Sequence, residues 1–329
     1  MHFKALGLTG LRVSEVGFGT WQLGGEGWGP VDARDVSTAV EHAIAEGINL
    51  FDTAPIYGFG RSEELLSRAL GSKKDEVVIV SKAGLVWDER KRVSHDASPE
   101  ALSRELEKTL KRLRRDRLDV LLLHWPDPRV PLDESVGALD SFRASGRIRA
   151  WGVSNCPAEA VLSLRHDPSE RSVTAAADSA GPVLEYPMNA LRTYAAEYVE
   201  AAAAGEKLLP EAARRPWGFL AFDVLVRGIL GGRYGPEARF GKRDIRWRDR
   251  RFQGQEFERN LERARRLSAL AGELGAPPSA LAIRTVLDRP GVTSCLVGMR
   301  TADQALECAA GSAIRIPEEF RGPLKSCEA

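Results

Sequence analysis

Short apolar runs with no polar alternation recur through this chain at intervals of roughly 30 to 40 residues, and they constrain its fold more than any other feature. They occupy residues 16–18, 48–51, 77–80, 120–123, 150–153, 219–222 and 294–297. A strand takes this composition when both faces of its sheet are covered, as in a parallel sheet. Amphipathic stretches lie between the runs. Residues 35–45 set Val36, Val40, Ala43 and Ile44 on one side, and residues 99–113 do the same with Leu102, Leu106, Leu110 and Leu113. Ser98 followed by Pro99 gives the second of these a defined start.

The β–α alternation predicts an α/β chain closed into an eight-stranded (β/α)8 TIM barrel, with residues 1–329 as a single domain. The competing open, doubly wound sheet calls for a G-x-G-x-x-G turn after its first strand. Neither Gly24-Gly25 nor Gly58-Phe59-Gly60 stands in that setting. Two regions break the rhythm: residues 174–205, rich in alanine and not placed by pattern, and residues 233–257, dense in charge.

Composition narrows the functional classes. Hydrophobic residues at 43% beside 28% charged can fill a large core, and 47 Lys and Arg against 46 Asp and Glu leave no global field to attract nucleic acid or an anionic membrane. The four cysteines, Cys156, Cys295, Cys308 and Cys327, are far apart and form no C-x-x-C pair, so no metal site or disulfide framework is expected. The start Met1-His2-Phe3-Lys4 lacks a signal peptide's apolar run, and no stretch reaches the ~20 apolar residues of a spanning helix. A cytoplasmic protein without membrane partners is expected; the sequence sets no oligomeric state.

Three consecutive strands end on an ionisable residue: Asp52, Lys82 and His124. In a barrel the carboxyl ends of the strands form the active face. Each residue alone can be a helix cap or a solvent contact, but three in register point to a site. Tyr57 follows Asp52 by five residues, in a loop that can fold over the barrel mouth. A phenol of pKa near ~10 needs a cationic neighbour to give up its proton readily at neutral pH. Lys82 can supply that charge and lower the phenol's pKa, Asp52 can orient Lys82, and His124 can hold a substrate oxygen or help relay the proton. The set suits protonation of an alkoxide formed by hydride transfer. Read without context, Tyr57 is also a loop packing residue and His124, beside Trp125 and Pro126, a core histidine.

The segments Phe51-Asp52-Thr53-Ala54-Pro55-Ile56-Tyr57-Gly58, Ile79-Val80-Ser81-Lys82, Leu121-Leu122-Leu123-His124-Trp125-Pro126 and residues 148–155 closely resemble the aldo-keto reductase superfamily. The likeness is strongest to its bacterial sugar- and polyol-associated branch, which is related to the potassium-channel β subunits. The resemblance implies that Asp52, Tyr57, Lys82 and His124 form a catalytic tetrad. It also implies an NADP(H) cofactor laid over the barrel mouth without a Rossmann domain. Gly19, Thr20 and Trp21 match the first-strand contact, Ser154 and Asn155 the pair that holds the nicotinamide carboxamide, and Phe222 the aromatic that stacks on the ring. Leu225, Gly228 and Leu230 match the pyrophosphate loop. Gly298, Arg300 and Gln304 match the last loop, where Arg300 faces the adenosine 2′-phosphate as an anion clamp. Cys308 stands where an Asn commonly meets the adenine.

This chain departs from the family pattern in its cofactor groove. The family's sixth-strand Gln, which meets the nicotinamide amide, has no counterpart in residues 173–192, where Glu185 or Asp178 can stand in. Asp223 replaces the Ser of the usual Tyr-Ser-Pro-Leu and is expected to repel phosphate unless Arg233 or another base compensates. Residues 233–251 carry eight basic side chains (Arg233, Arg239, Lys242, Arg243, Arg246, Arg248, Arg250, Arg251) against three acidic ones, and read either as a lid facing phosphate or as solvated surface. Trp21, Trp28, Trp87 and Trp125 either line an aromatic pocket or pack loops.

The expected function is that of an NADP-dependent oxidoreductase (EC 1.1.1.-). It reduces a small-molecule aldehyde or ketone, such as a sugar, a keto-sugar or a biosynthetic intermediate, to an alcohol. The alternative is a catalytically weak, nucleotide-binding regulatory protein on the same scaffold.

Overall fold

The computed structural model describes residues 1–164, 181–215 and 217–327. Eight strands run parallel around a closed barrel. They are β1 (Val16–Gly19), β2 (Leu50–Asp52), β3 (Val78–Ala83), β4 (Leu118–Leu123), β5 (Ile148–Ser154), β6 (Val183–Pro187), β7 (Gly218–Phe222) and β8 (Ser294–Gly298). Each pairs with the next in sequence, and β8 returns to β1 with Val297 opposite Phe18 and Gly298 opposite Gly19. Among the described residues ten α-helices accompany them: α1 (Ala33–Ala45), α2 (Arg61–Leu70), α3 (Pro99–Leu113), α4 (Leu132–Ala144), α5 (Ala158–Ser163), α6 (Val199–Arg214), α7 (Gly254–Glu273), α8 (Pro278–Leu287), α9 (Ala302–Ala309) and α10 (Glu318–Ser326). The start read from Ser98-Pro99 is the start of α3, whose Ser98 Oγ accepts from the Ala101 amide.

The strand period of two explains how the barrel becomes a site. Leu50, Val78, Val80, Val120, Leu122, Val183, Leu220 and Leu296 fill the interior with Leu6, Leu11 and Val13, which come from the amino-terminal hairpin (Phe3–Ala5 with Arg12–Ser14). Extending those inward series by two residues gives Asp52 on β2, Lys82 on β3, His124 just after β4, Glu185 on β6 and Phe222 on β7. Polar chemistry is thus confined to the top layer of an otherwise apolar barrel. The outward residues Phe18, Phe51, Ile79, Leu121, Val153, Leu184, Phe219 and Val297 pack under the helices.

Seven of the eight strands overlap the apolar runs, with bounds shifted by up to three residues. The sixth was not visible by pattern. Its sequence, Val-Leu-Glu-Tyr-Pro, has a charged residue at its centre and a proline at its end, which destroys the apolar signature. Residues 199–205 of the same unplaced region begin α6. Residues 165–180, including Asp178, lie outside the described residues. Among the described residues no helix is long and apolar enough to cross a membrane.

Candidate active site

Lys82 is the centre of the site. Its side chain is fully buried, and Nζ lies 2.5 Å from Asp52 Oδ2 and 3.3 Å from Glu185 Oε1, and donates to Thr53 O at 3.1 Å. It stands 5.3 Å from the centre of the Tyr57 ring. His124 meets that ring edge-on at 5.9 Å, with its backbone amide tied to Ala83 O at 2.9 Å. Four residues from three strand ends and one loop are thereby brought within contact of one another.

The loop holding Tyr57 is fixed by a close backbone approach. At Gly58, with φ +64°, a Cβ would sit 2.3 Å from Gly24 O. Only glycine allows both the left-handed turn and that contact with the loop after β1. From the other side Trp21 approaches Tyr57 at 6.2 Å and is itself braced edge-on by Trp28 at 5.3 Å.

Burial dominates the electrostatics. It drives the Tyr57 phenol above its usual value; Lys82 opposes this, but Asp52 and Glu185 act with burial. Lys82 does pull the phenol's pKa down, but burial outweighs it, and Asp52 and Glu185 add to the rise. Burial alone would lower Lys82, yet the same two carboxylates hold it above the usual lysine value. Burial raises Asp52 against the pull of Lys82. Glu185 is pushed up to about 8 by burial and by Asp52, with Lys82 opposing. His124 is held well below its usual value by burial and by the Lys82 charge, so its imidazole is neutral at physiological pH.

A cavity of about 330 Å³ runs from this cluster across the barrel mouth. Its wall includes Asp52, Tyr57 and His124 at one end; Gly19, Thr20, Trp21, Asn155 and Phe222 beside them; Leu225 and Gly228 further on; and Gly298, Arg300, Gln304 and Cys308 at the far end. Most of the residues expected to line a cofactor groove thus share one cavity. Two do not. Ser154 lies beneath the wall, where its Oγ donates to Glu185 O and accepts from Asn155 Nδ2. Leu230 points away into a separate apolar cluster with Ile229, Phe252 and Phe257, since the loop after β7 turns through Arg227 and Gly228 at positive φ.

Two oxygens in the wall are buried and lack a hydrogen-bond donor. Asn155 Nδ2 donates to His124 O at 3.0 Å, which leaves Asn155 Oδ1 without a partner, and Glu185 Oε2 on the neighbouring strand is in the same position. An unpartnered amide oxygen beside an unpartnered carboxyl oxygen fits a polar ligand group that can both give and accept hydrogens, such as a primary amide.

Asp223 does not face phosphate unopposed. Its Oδ2 is paired at 2.6 Å with the fully buried Arg251, which Asp249 also holds at 2.8 Å. Arg251 is the compensating base, whereas Arg233 pairs with Glu307 at 2.8 Å. Arg227, a wall residue that the sequence did not single out, is held by Asp249 at 2.8 Å and by Glu197, and lies 5.4 Å from the Trp21 ring centre. Tyr198, Gln22 and Tyr234 also enter the wall unannounced, since each comes from a loop with no local pattern.

The basic segment 233–251 is folded against the barrel. The Ile245 amide donates to Gly27 O at 2.8 Å, and the Arg246 guanidinium lies 5.5 Å from the Trp28 ring centre and within 2.5 Å of Asp244. The loops after β7 and β1 therefore meet across one end of the cavity. Arg300 also joins them, donating to Trp28 O at 3.1 Å and to Pro30 O at 2.6 Å, while Gln304 accepts from its amide. Among the described residues no group of three or more His, Cys, Asp or Glu is arranged to hold a metal ion.

Comparison with known proteins agrees with this architecture. The family model described as "Aldo/keto reductase family" matches residues 15–329. An aldo-keto reductase of Bacillus subtilis is 33% identical over 309 residues, covering 92% of this chain and 86% of that protein. A probable voltage-gated potassium channel β subunit of Oryza sativa is 28% identical over 93% of this chain and 90% of its own. Among solved structures, a glycerol dehydrogenase from Gluconobacter oxydans superposes with a TM-score of 0.83 at 32% identity, covering 99% of this chain and 94% of that one. With the family model spanning nearly the whole length of the barrel, the chain belongs to the aldo/keto reductase family.

Proposed function

We propose that this chain is an NADP(H)-dependent reductase of small aldehydes or ketones, in which Tyr57 protonates the carbonyl oxygen. The observation that carries the reading is the single cavity joining Tyr57, with buried Lys82 5.3 Å from its ring centre, to a far wall holding Arg300. When bound, the nicotinamide supplies the hydride. The chain does the rest. Phe222 offers a flat face for the ring, Asn155 and Glu185 offer their unpaired oxygens to the carboxamide, and His124, neutral, holds the substrate oxygen within reach of the Tyr57 hydroxyl. Burial keeps that hydroxyl protonated through neutral pH, and Lys82, the neighbour that opposes burial, eases release of its proton. The surrounding Trp21 and Trp28 shield the reacting atoms from water, and residues 1–329 act as one domain.

The Arg300 guanidinium meets backbone carbonyls and leaves its charge for an anion, which favours the 2′-phosphate of NADPH over NADH. A charge-assisted contact is worth about 1.5 to 3 kcal/mol. Arg300→Ala is accordingly expected to weaken NADPH by about tenfold to a hundredfold and NADH much less. Fluorescence titration of both nucleotides checks this; equal losses for the two would assign the 2′ position to another residue.

NADPH consumption with 4-nitrobenzaldehyde or a small sugar aldehyde tests the activity. Likeness to a channel β subunit favours one other reading, a nucleotide-binding regulatory protein. A folded chain that binds NADPH yet stays silent with every carbonyl offered supports that second reading.

A further inference from the structure

The reductase reading assigns no role to the charge on Glu185, and the site would be complete without it. Its geometry sets it apart. The residue is 3% exposed and shares the cavity wall with Asp52, Tyr57, His124 and Asn155. Oε1 is 3.3 Å from Lys82 Nζ, while Oε2 has no donor. Its backbone carbonyl accepts from Ser154 Oγ, which locks the β5 and β6 ends together and fixes where the carboxylate points.

We propose that Glu185 sets the preference of the site between the two redox forms of the nucleotide, holding the oxidised form more tightly than the reduced one. This rests on the nucleotide occupying the cavity with its nicotinamide beside Tyr57. The physical argument is short. The oxidised ring is a cation and the reduced ring is neutral, whereas the two nucleotides are alike elsewhere. A carboxylate within a few ångströms of the ring, screened from water, therefore discriminates between them, and a neutral amide at the same place cannot. Lys82 does not cancel the effect, because it is shared between Asp52 at 2.5 Å and Glu185 at 3.3 Å, and with both ionised one negative charge is left over. Neither enzyme nor residue alters the overall equilibrium of the reaction; what changes is which nucleotide fills the site at equal concentrations.

The effect depends on pH. Glu185 is pushed up to about 8, so its carboxylate must lose a proton before it can meet the cation. The other charged or titratable groups facing this end of the cavity are Asp52, Tyr57, Lys82, His124, Tyr198, Asp223 and Arg227. Asp223 is paired with Arg251 and Arg227 with Asp249, and burial holds Tyr198 protonated and His124 neutral across the neutral range. The nucleotide's own phosphates titrate identically in both forms and drop out of the ratio of affinities.

The test is calorimetric titration of NADP⁺ and NADPH between pH 6 and 9, each in two buffers of different ionisation enthalpy. Parent, Glu185→Gln and Glu185→Asp are compared. The expected ratio favours NADP⁺ by about tenfold or more above pH 8 and declines as the pH falls. Near pH 7, NADP⁺ binding releases a proton and NADPH binding does not. Glu185→Gln, whatever its absolute affinity for either nucleotide, should show an affinity ratio that no longer depends on pH and no proton release, and Glu185→Asp should keep part of both effects. A parent ratio flat with pH, or a parent-like ratio in Glu185→Gln, overturns the inference while leaving the cofactor site in place. Failure of both nucleotides to bind the parent overturns the site assignment as well. The parent's pH dependence and proton release decide the matter even where a variant fails to fold.

Discussion

Replacing Tyr57 by Phe is expected to lower carbonyl reduction by about a hundredfold to ten-thousandfold, the range that a positioned proton donor contributes. The substitution removes one hydroxyl and nothing else. The ring keeps its contacts with Trp21 and His124, and Gly58 keeps its close approach to Gly24, so the loop and the cavity should be unaltered. NADPH affinity should stay within a few-fold of the parent. Steady-state kinetics with direct nucleotide titration separate the two quantities. Full turnover in Tyr57→Phe would remove this residue from the chemistry, and a collapse of NADPH binding would make it a structural part of the groove instead.

Lys82→Met should be equally damaging to activity, with a second consequence that Tyr57→Phe lacks. Methionine fills much of the same volume, but Asp52 and Glu185 are then left buried without their common counter-charge, a situation that costs about 3 to 5 kcal/mol when a buried pair is broken. In the parent both carboxyls already sit above their usual values because of burial, with Lys82 pulling them down. Without Lys82 they must rise further. A carboxyl whose folded pKa exceeds its unfolded one binds more protons in the folded state. Its penalty is thus absent below about pH 4, the unfolded value, and grows as the pH rises toward the folded value. Lys82→Met is accordingly expected to lose most stability at neutral and alkaline pH and to recover much of it near pH 5. In the parent the sign for Lys82 itself is opposite. Its folded pKa is raised, so its stabilisation is intact throughout the neutral range and is lost only in strong alkali. Thermal melts of both proteins from pH 5 to 9 check this. A destabilisation independent of pH would mean that the carboxylates carry no net charge problem, and parent-like turnover would remove Lys82 from the proton donor's surroundings.

How far the sequence reveals this molecule follows from where its chemistry sits in the barrel. Asp52, Lys82 and His124 were readable because each closes an apolar strand, and that break in pattern marks the top layer of the interior. Glu185 occupies the equivalent place on β6. Yet it sits at the centre of a five-residue strand that ends in proline, so the same break erased the strand's own signature. The residue was reachable only as a stand-in for a missing glutamine, with Asp178 an equal candidate. Its contact with Lys82, and the burial that outweighs Lys82 at the Tyr57 phenol, depend on side-chain distances and packing that spacing does not encode.

The far end of the groove divides in the same way. Gly298, Arg300, Gln304 and Cys308 were found through their position after an evident strand. Arg227, Tyr198 and Tyr234 come from irregular loops, and only the folded chain brings them to the wall. Leu230 was misplaced because the turn at Arg227 and Gly228, both at positive φ, rotates the following residues into the apolar cluster beneath α7 and α8. The charge at Asp223 looked hostile to phosphate until Arg251, 28 positions later, proved to be its partner.

The central claim is that this cavity transfers hydride from NADPH to a carbonyl carbon while Tyr57 protonates the oxygen. The most direct test is to supply NADPH deuterated at both C4 positions, with 4-nitrobenzaldehyde and a small sugar aldehyde, and to follow the label by mass spectrometry and NMR. The account predicts one deuterium on the former carbonyl carbon for each alcohol formed by the parent protein, and almost no alcohol from Tyr57→Phe. Alcohol carrying no deuterium on that carbon, or nucleotide consumed without alcohol, would contradict it.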